Sequence, residues 1–136
     1  MKVLVAFDGT LASKDALIYG IRKVREYRGE LIALHVFPSY LFVDYDEGTR
    51  ASEIARKEAL RRVEEASDII REIGTDIRAS VDFTEGIEQD EILRYAKIED
   101  VDLIVAPPSL DMLVEKACCL TDIVTAGDAA INELPD

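Results

Sequence analysis

Short apolar runs alternate with longer amphipathic segments along this chain. VLVAF, residues 3 to 7, and Leu31 to Phe37 are continuous apolar runs of strand length. Such runs are typical of strands buried on both faces. Two further strands are predicted at Ile77 to Phe83 and at Val101 to Ala106. Beyond Ser109 the pattern weakens, and LTDIVTA, residues 120 to 126, predicts a fifth strand.

The segments between these strands carry apolar residues at helical spacing. The first helix is predicted to begin at Thr10 or Ser13, either of which can cap it, and to stop at Gly29. The longest helix, about residues 51 to 73, has an apolar residue at every third or fourth position. A third helix follows Gly86, and a short fourth one precedes the fifth strand.

Strict alternation of strands and helices predicts the fold class. It is an α/β fold with one open, mostly parallel sheet of five strands and helices on both faces, in a single domain over residues 1 to 136. Ligands of such sheets bind at the carboxyl ends of the strands, near the switch in strand order. This rule points to residues 6 to 10, 36 to 39, 83 to 86 and 106 to 109.

The net charge of the chain argues against several classes of binding partner. The net charge is −12, from 28 acidic and 16 basic residues, and such a field repels nucleic acid and anionic lipid. The basic residues of the segment 56 to 62 are interleaved with glutamates, which predicts a solvated helix face with compensating ion pairs. No apolar run is long enough to cross a bilayer, and the N-terminus lacks a signal-peptide pattern. We expect a cytoplasmic protein without nucleic-acid or membrane partners.

Cysteine and histidine are too few for a recognisable metal site, so no metal is expected. The two cysteines, Cys118 and Cys119, are adjacent, and a disulfide between neighbours is strained. At least one thiol is expected to pack as a small apolar group. His35 lies inside an apolar run and is expected to be a hydrogen-bonded core residue rather than a catalytic base.

The string FDGT after the first strand invites a phosphotransfer interpretation. Haloacid-dehalogenase-like phosphatases have a similar string, but Ala6 stands where their nucleophilic aspartate would be, and a methyl group cannot attack phosphorus. Asp82 invites comparison with receiver domains, which need a second acid beside Asp8 and a hydroxyl residue where this chain has Ala106. No catalytic residues are therefore expected, and the protein is predicted not to be an enzyme.

Four segments together resemble the universal stress protein family over roughly residues 1 to 106. They are DGTLASKDAL after the first strand, LHVF in the second, FTEG with the following helix, and EDVDLIVA in the fourth. The resemblance implies a flavodoxin-like, adenine nucleotide alpha-hydrolase-like fold and homodimerisation. In one branch of the family it also implies adenine-nucleotide binding.

The resemblance also implies candidate nucleotide-binding residues. Asp8 matches the aspartate that contacts the nucleoside, and Ala6 and Phe7 lie beside it at the strand end. The backbone of Val36 matches the position that meets the adenine edge. A second interpretation of Asp8 stays open, because a carboxylate there can also cap the first helix and interact with its dipole.

The phosphate half of the site departs from the family pattern. ATP-binding members hold the phosphates with a glycine-rich segment after the fourth strand, and Pro107 occupies the place of its first glycine. Proline has no N–H and cannot adopt positive φ, so a donor and a turn are lost together. No glycine occurs from residue 107 to 126. We expect a degenerate ATP site and no bound cofactor, with ATP or AMP as the alternative.

Three functions follow from these observations. The first is a non-enzymatic, universal-stress-like protein that acts as a homodimer in stress response or regulation, with a protein partner. The alternative is an adenosine- or AMP-type binding protein that uses the retained nucleoside half of the site. Hydrolysis ranks last, because no acid, base and nucleophile are found together.

Two segments outside this framework carry further expectations. The loop 38 to 50 contains Tyr40, Phe42 and Tyr45, which either cover the second helix or form a lid or subunit contact. The dimer is expected to form through the fifth strand and neighbouring residues, within 113 to 134, and not through the cleft.

Overall fold

The residues that the structure describes form five parallel strands and four α-helices. The structure, a computed structural model, describes residues 1–38, 48–117 and 119–124. The elements are β1 Lys2–Ala6, α1 Leu11–Tyr27, β2 Glu30–Phe37, α2 Gly48–Ile73, β3 Arg78–Glu85, α3 Glu88–Ile98, β4 Leu103–Ala106, α4 Leu113–Lys116 and β5 Leu120–Ile123. The expected five-stranded parallel α/β fold is confirmed. The aromatic residues of the loop after β2, and the chain beyond residue 124, lie outside the described residues.

The strand order is β3-β2-β1-β4-β5, with every pair parallel. One apolar cluster joins α1 and α2 to one face of the sheet, and a second joins α3 and α4 to the other. The order reverses between β1 and β4, so the switch point lies there. The strand order of flavodoxin is 2-1-3-4-5. This protein therefore shares the open parallel α/β architecture of flavodoxin but not its strand order.

The central strand β1 is buried on both faces, as its apolar run predicts. Val3 and Val5 belong to the α1–α2 cluster, whereas Leu4 and Ala6 belong to the α3–α4 cluster. This division follows from the two-residue period of a strand. By contrast, β3 is an edge strand with mostly exposed or half-buried side chains, which agrees with its weaker apolar pattern.

The end of α1 differs from the expected glycine stop. The helix ends at Tyr27, and Arg28 adopts the left-handed conformation, with φ 55°. Gly29 is required for a different reason, since a Cβ there would lie 2.0 Å from the carbonyl oxygen of Met1. That close approach allows the Glu30 N–H to donate to the same carbonyl at 2.9 Å.

A row of alternating charges crosses the amino-terminal edge of the sheet. Arg78, Glu30 and Lys2 are register neighbours on three adjacent strands. The backbone N–H of Lys2 donates to Asp102 at 2.8 Å, and its Nζ donates to the carbonyl of Glu99 at 3.0 Å, beyond the end of α3. A groove of about 430 Å³ opens here, at the edge opposite to the one where parallel sheets bind ligands.

His35 is a buried polar residue of β2, 9% exposed. Its Nδ1 lies 2.9 Å from the carbonyl oxygen of Phe7, so the tautomer with a protonated Nδ1 satisfies that carbonyl. Burial lowers the pKa of His35 and outweighs the opposing effect of the Phe7 carbonyl. The imidazole is therefore held neutral in the core, as expected for a hydrogen-bonded core residue.

This burial makes stability depend on pH. As pH falls below the ordinary histidine value of 6.5, the unfolded chain takes up the proton before the folded chain does. The free energy of unfolding should therefore decrease until the pH is below the lowered pKa. His35→Asn keeps a donor but cannot titrate, and should cost about 1–3 kcal/mol at neutral pH.

The measurement is urea denaturation of both proteins at several pH values from neutral to acidic. Wild type should lose more stability than His35→Asn over this range. Equal losses of stability in the two proteins would contradict the assignment of His35 as a buried, neutral residue.

Candidate ligand site at the carboxyl ends of the strands

The turn from β1 into α1 is built around the carboxylate of Asp8. Asp8 Oδ1 accepts hydrogen bonds from the backbone N–H of Thr10 at 2.9 Å and from its hydroxyl at 2.6 Å. Gly9, at φ 86°, makes the turn. The N-cap itself is Thr10, whose Oγ1 accepts from the Ser13 N–H at 3.2 Å. Asp8 thus supports the capping residue rather than being the cap.

Asp8 is half-buried and negatively charged. Burial acts to raise its pKa, but the hydrogen bonds from Thr10 and Ser13 outweigh burial and leave the pKa below its ordinary value. A carboxyl group in this state does not donate a proton near neutral pH. Both hydrogen bonds from Thr10 end on one oxygen, Oδ1.

The other candidate nucleotide-binding residues at the strand ends have buried side chains. Ala6, Phe7 and Val36 are 3%, 2% and 5% exposed, so a ligand can meet only their backbones. The N–H of Phe7 bonds to the carbonyl of Leu34 at 2.9 Å. Because backbone groups alternate in direction along a strand, those of Val36 face the same side as those of Leu34. They lie beyond Ala6, the last residue of β1.

The turn after β4 is formed by prolines. Pro107 is buried and extended, with φ −72°, and Pro108–Leu110 form a single 3-10 turn. The carbonyls of Ala106 and Pro107 accept hydrogen bonds from the N–H groups of Val124 and Leu110. The helix that follows, α4, has only four residues. This turn offers no N–H at Pro107 or Pro108.

Glu88 was missed by the sequence analysis. It is the first residue of α3 and is half-buried. Burial raises its pKa, and the negative charge of Asp8 raises it further. The sequence held a signal for this residue, because Glu88 lies two positions after Gly86, the last residue of one predicted site segment.

Arg62 of α2 was also missed as a neighbour of the site. A Cβ at Gly9 would lie 2.7 Å from Cδ and Nη1 of Arg62, so this side chain covers the β1–α1 turn. Its guanidinium pairs with Glu65 at 2.5 Å and with Glu58 at 3.5 Å. The predicted compensating pairs are confirmed, but helical periodicity does not reveal which surface arginine meets a distant turn.

The described residues offer neither a metal site nor a membrane-spanning helix. No cluster of His, Cys, Asp or Glu in this part of the chain has an arrangement that could hold a metal ion. None of the helices there is both long enough and apolar enough to cross a membrane.

Known structures share this fold. UspA, a universal stress protein from Lactobacillus plantarum, superposes with a TM-score of 0.83 at 19% identity, covering 91% of this chain and 97% of that one. An Arabidopsis thaliana universal stress protein family member with AMP bound gives 0.72 at 20% identity, covering 100% and 96%. A universal stress protein in complex with cAMP gives 0.70 at 19% identity, covering 93% and 97%. At these identities the likeness shows the fold alone.

The sequence comparisons identify the family. None of the curated proteins matches the chain. The model of the universal stress protein family matches residues 1–107 and stops at the first proline after β4. Because this match spans most of the sequence and the fold agrees with it, the chain belongs to the universal stress protein family.

Proposed function

We propose that this chain is a non-enzymatic universal stress protein that acts as a homodimer in stress response or regulation, through a protein partner and without ATP. The observation that carries the proposal is the turn after β4, where Pro107 and Pro108 lead into a 3-10 turn and a helix of four residues. A phosphate cradle needs successive backbone N–H groups and the positive end of a helix. Proline supplies no N–H, and so short a helix has little dipole.

The ionisable groups near the cleft also argue against catalysis. The lowered pKa of Asp8 keeps this carboxylate charged, which makes it a weak base and a poor acid. His35 is buried, with Nδ1 against the carbonyl of Phe7. The hydroxyl beside Asp8 is that of Thr10, which donates to Asp8 at 2.6 Å and caps α1 by accepting the Ser13 N–H, so it is engaged in the turn rather than available as a nucleophile. The cytoplasmic location expected from the sequence stays a prediction.

Calorimetric titration with ATP and ADP, with and without Mg²⁺, tests the loss of triphosphate binding. We expect no binding tighter than about millimolar, because the triphosphate would meet prolines where N–H donors are needed. Tight binding of ATP that depends on Mg²⁺ would contradict the proposal.

The homodimer is proposed to form at β5, the last strand on this side of the sheet among the described residues. The opposite edge, β3, is protected against pairing, because Asp82 Oδ1 accepts the N–H of Phe83 at 2.8 Å and charged side chains lie along the strand. On β5, Leu120 is 74% exposed. Asp122 accepts a hydrogen bond from the hydroxyl of Tyr19 at 2.7 Å within its own chain. This bond reduces the electrostatic repulsion that two copies of Asp122 would exert on each other if two β5 strands paired.

Substituting Leu120 tests this edge. Leu120→Glu should convert the dimer to a monomer at micromolar concentration, since it places like charges at a paired edge. Ile98→Glu, on the end of α3 and also exposed, is the matched control and should stay dimeric. Light scattering gives the masses. A monomeric wild type, or a dimeric Leu120→Glu, would refute this interface.

A second candidate function is binding of an adenosine- or AMP-type ligand. Two observations favour it: the backbone of Val36 faces the space beyond β1, and Oδ2 of Asp8 is not used by the bonds from Thr10. Backbone groups at a strand end suit the edge of a base, and a carboxylate suits a ribose hydroxyl. Relatives of the same fold have been solved with AMP and with cAMP.

Asp8→Asn tests this candidate function. It is a more specific test than Asp8→Ala, which would also remove the acceptor of the Thr10 hydrogen bonds. Asparagine keeps a carbonyl oxygen for the Thr10 bonds, so the turn should hold, whereas the charge and one acceptor oxygen are lost. Adenosine affinity should fall by about tenfold or more, the effect of one charge-assisted hydrogen bond. Calorimetry measures the affinity, and circular dichroism checks the fold. Unchanged affinity in a folded variant would exclude Asp8 from the site.

A further inference from the structure

The groove at the amino-terminal edge of the sheet is a cavity that the proposed function does not use. Its volume is about 430 Å³, and three basic and four acidic residues contribute to its lining. Pockets of about 300–1,000 Å³ are the usual size for small ligands. Because both signs of charge line this groove, electrostatic complementarity determines what it can bind.

One part of this lining is already engaged within the chain. Lys2 Nζ lies 3.7 Å from a carboxylate oxygen of Glu30 and 3.9 Å from one of Glu99, and the backbone N–H of Lys2 donates to Asp102 at 2.8 Å. Lys2 Nζ also donates to the carbonyl of Glu99, the C-cap of α3, at 3.0 Å. The end of this helix therefore already holds an ammonium group, as its negative dipole and unpaired carbonyls favour.

The other part of the lining is available to a ligand. Arg28, Arg78 and Asp100 line the groove, are exposed, and form no ion pair with any residue that the structure describes. By contrast, Arg25 pairs with Asp76 at 2.7 Å. The groove thus presents two unpaired guanidinium groups and one unpaired carboxylate.

Two of these three residues also have an unusual backbone conformation. Arg28 and Asp100 are the non-glycine residues with positive φ in the described part of the chain, each at 55°. Arg28 is the C-cap of α1, and Asp100 directly follows the C-cap of α3. Glycine adopts this conformation at a lower cost than a residue with a Cβ. An outlier of this kind is a reason to ask what its side chain does, and here both residues line the same groove.

We infer that this groove binds a small zwitterion, a molecule with one carboxylate and one ammonium group. The carboxylate pairs with the guanidinium groups of Arg28 and Arg78, whose planar N–H donors suit it. The ammonium group pairs with Asp100, close to the carbonyl ends of the two helices. A ligand without net charge is not repelled by the net charge of −12. An anion would meet four carboxylates in the groove, and a cation would meet two unpaired guanidinium groups.

Titration of the ¹⁵N-labelled protein with alanine, β-alanine and γ-aminobutyrate at pH 7, followed by NMR, tests the inference. These three zwitterions differ in the distance between their charges, and both groups are ionised at this pH. At least one should bind with a dissociation constant of about 1–10 mM, as expected for ion pairs in an open groove. The amide signals that shift should include those of Gly29 and Asp100.

Butyrate and butylamine each carry only one of the two charges. Both should bind at least about threefold more weakly than the best zwitterion, the effect of losing one exposed ion pair. Three results would overturn the inference: none of the zwitterions binds, one of the singly charged compounds binds as tightly as the best zwitterion, or the shifted amides lie away from the groove.

Arg78→Gln and Asp100→Asn test the two ends of the site separately. Each removes one unpaired charge, and asparagine tolerates positive φ. Each variant should bind the zwitterion at least about threefold more weakly. The matched controls are Arg56→Gln on α2 and Asp90→Asn at the far end of α3, both at exposed positions. They should keep the wild-type affinity within about 1.5-fold, because solvent and salt screen distant charges. Unchanged affinity in a folded Arg78→Gln or Asp100→Asn protein would contradict the assigned pairing.

Discussion

Burial of β1 between two strands and two helical layers is the constraint on which this structure depends. Val3, Leu4 and Val5 have no exposed surface, so the strand has to alternate its side chains between two separate cores. Its backbone is paired on both sides, with β2 and with β4. Where that pairing ends, the chain turns sharply at Gly9, and the residues of the turn lie at the carboxyl edge of the sheet. The position of Asp8 is therefore a consequence of how far β1 stays paired.

Several charged groups near the carboxyl edge of the sheet are bonded to neighbouring residues of the chain. Asp8 accepts hydrogen bonds from Thr10. Glu91 accepts a hydrogen bond from Thr84 and pairs with Arg94, and Arg62 pairs with two glutamates. Each group stabilises its own element, so the local interactions that build the turns also set the charge that a ligand meets. The chain has a net charge of −12, so carboxylates are available at these positions without a specialised ligand site.

The site was only partly predictable from the sequence. Asp8 and Pro107 were identified through the resemblance to the family, which places Asp8 at the nucleoside contact and Pro107 at the first glycine of the phosphate-binding segment. The backbone restrictions of proline hold in any structure. Whether Asp8 or Thr10 caps α1 could not be decided, since both residue types suit that position and only the turn geometry separates them. Glu88 and Arg62 come from elements distant along the chain. Their approach to Gly9 and Asp8 depends on how α2 and α3 cross the sheet, which no local pattern records.

The sequence by itself determined the strands, the helices, their parallel arrangement and the family, because apolar periodicity and strand–helix alternation are local properties that burial enforces. It did not determine why Gly29 must be glycine, since the reason is a contact with Met1. Nor did it show that Asp122 is bonded to Tyr19 or that Asp82 protects the edge of β3. Only the tertiary structure decided these points, because each depends on a distance, an edge or a direction that exists only after the chain has folded.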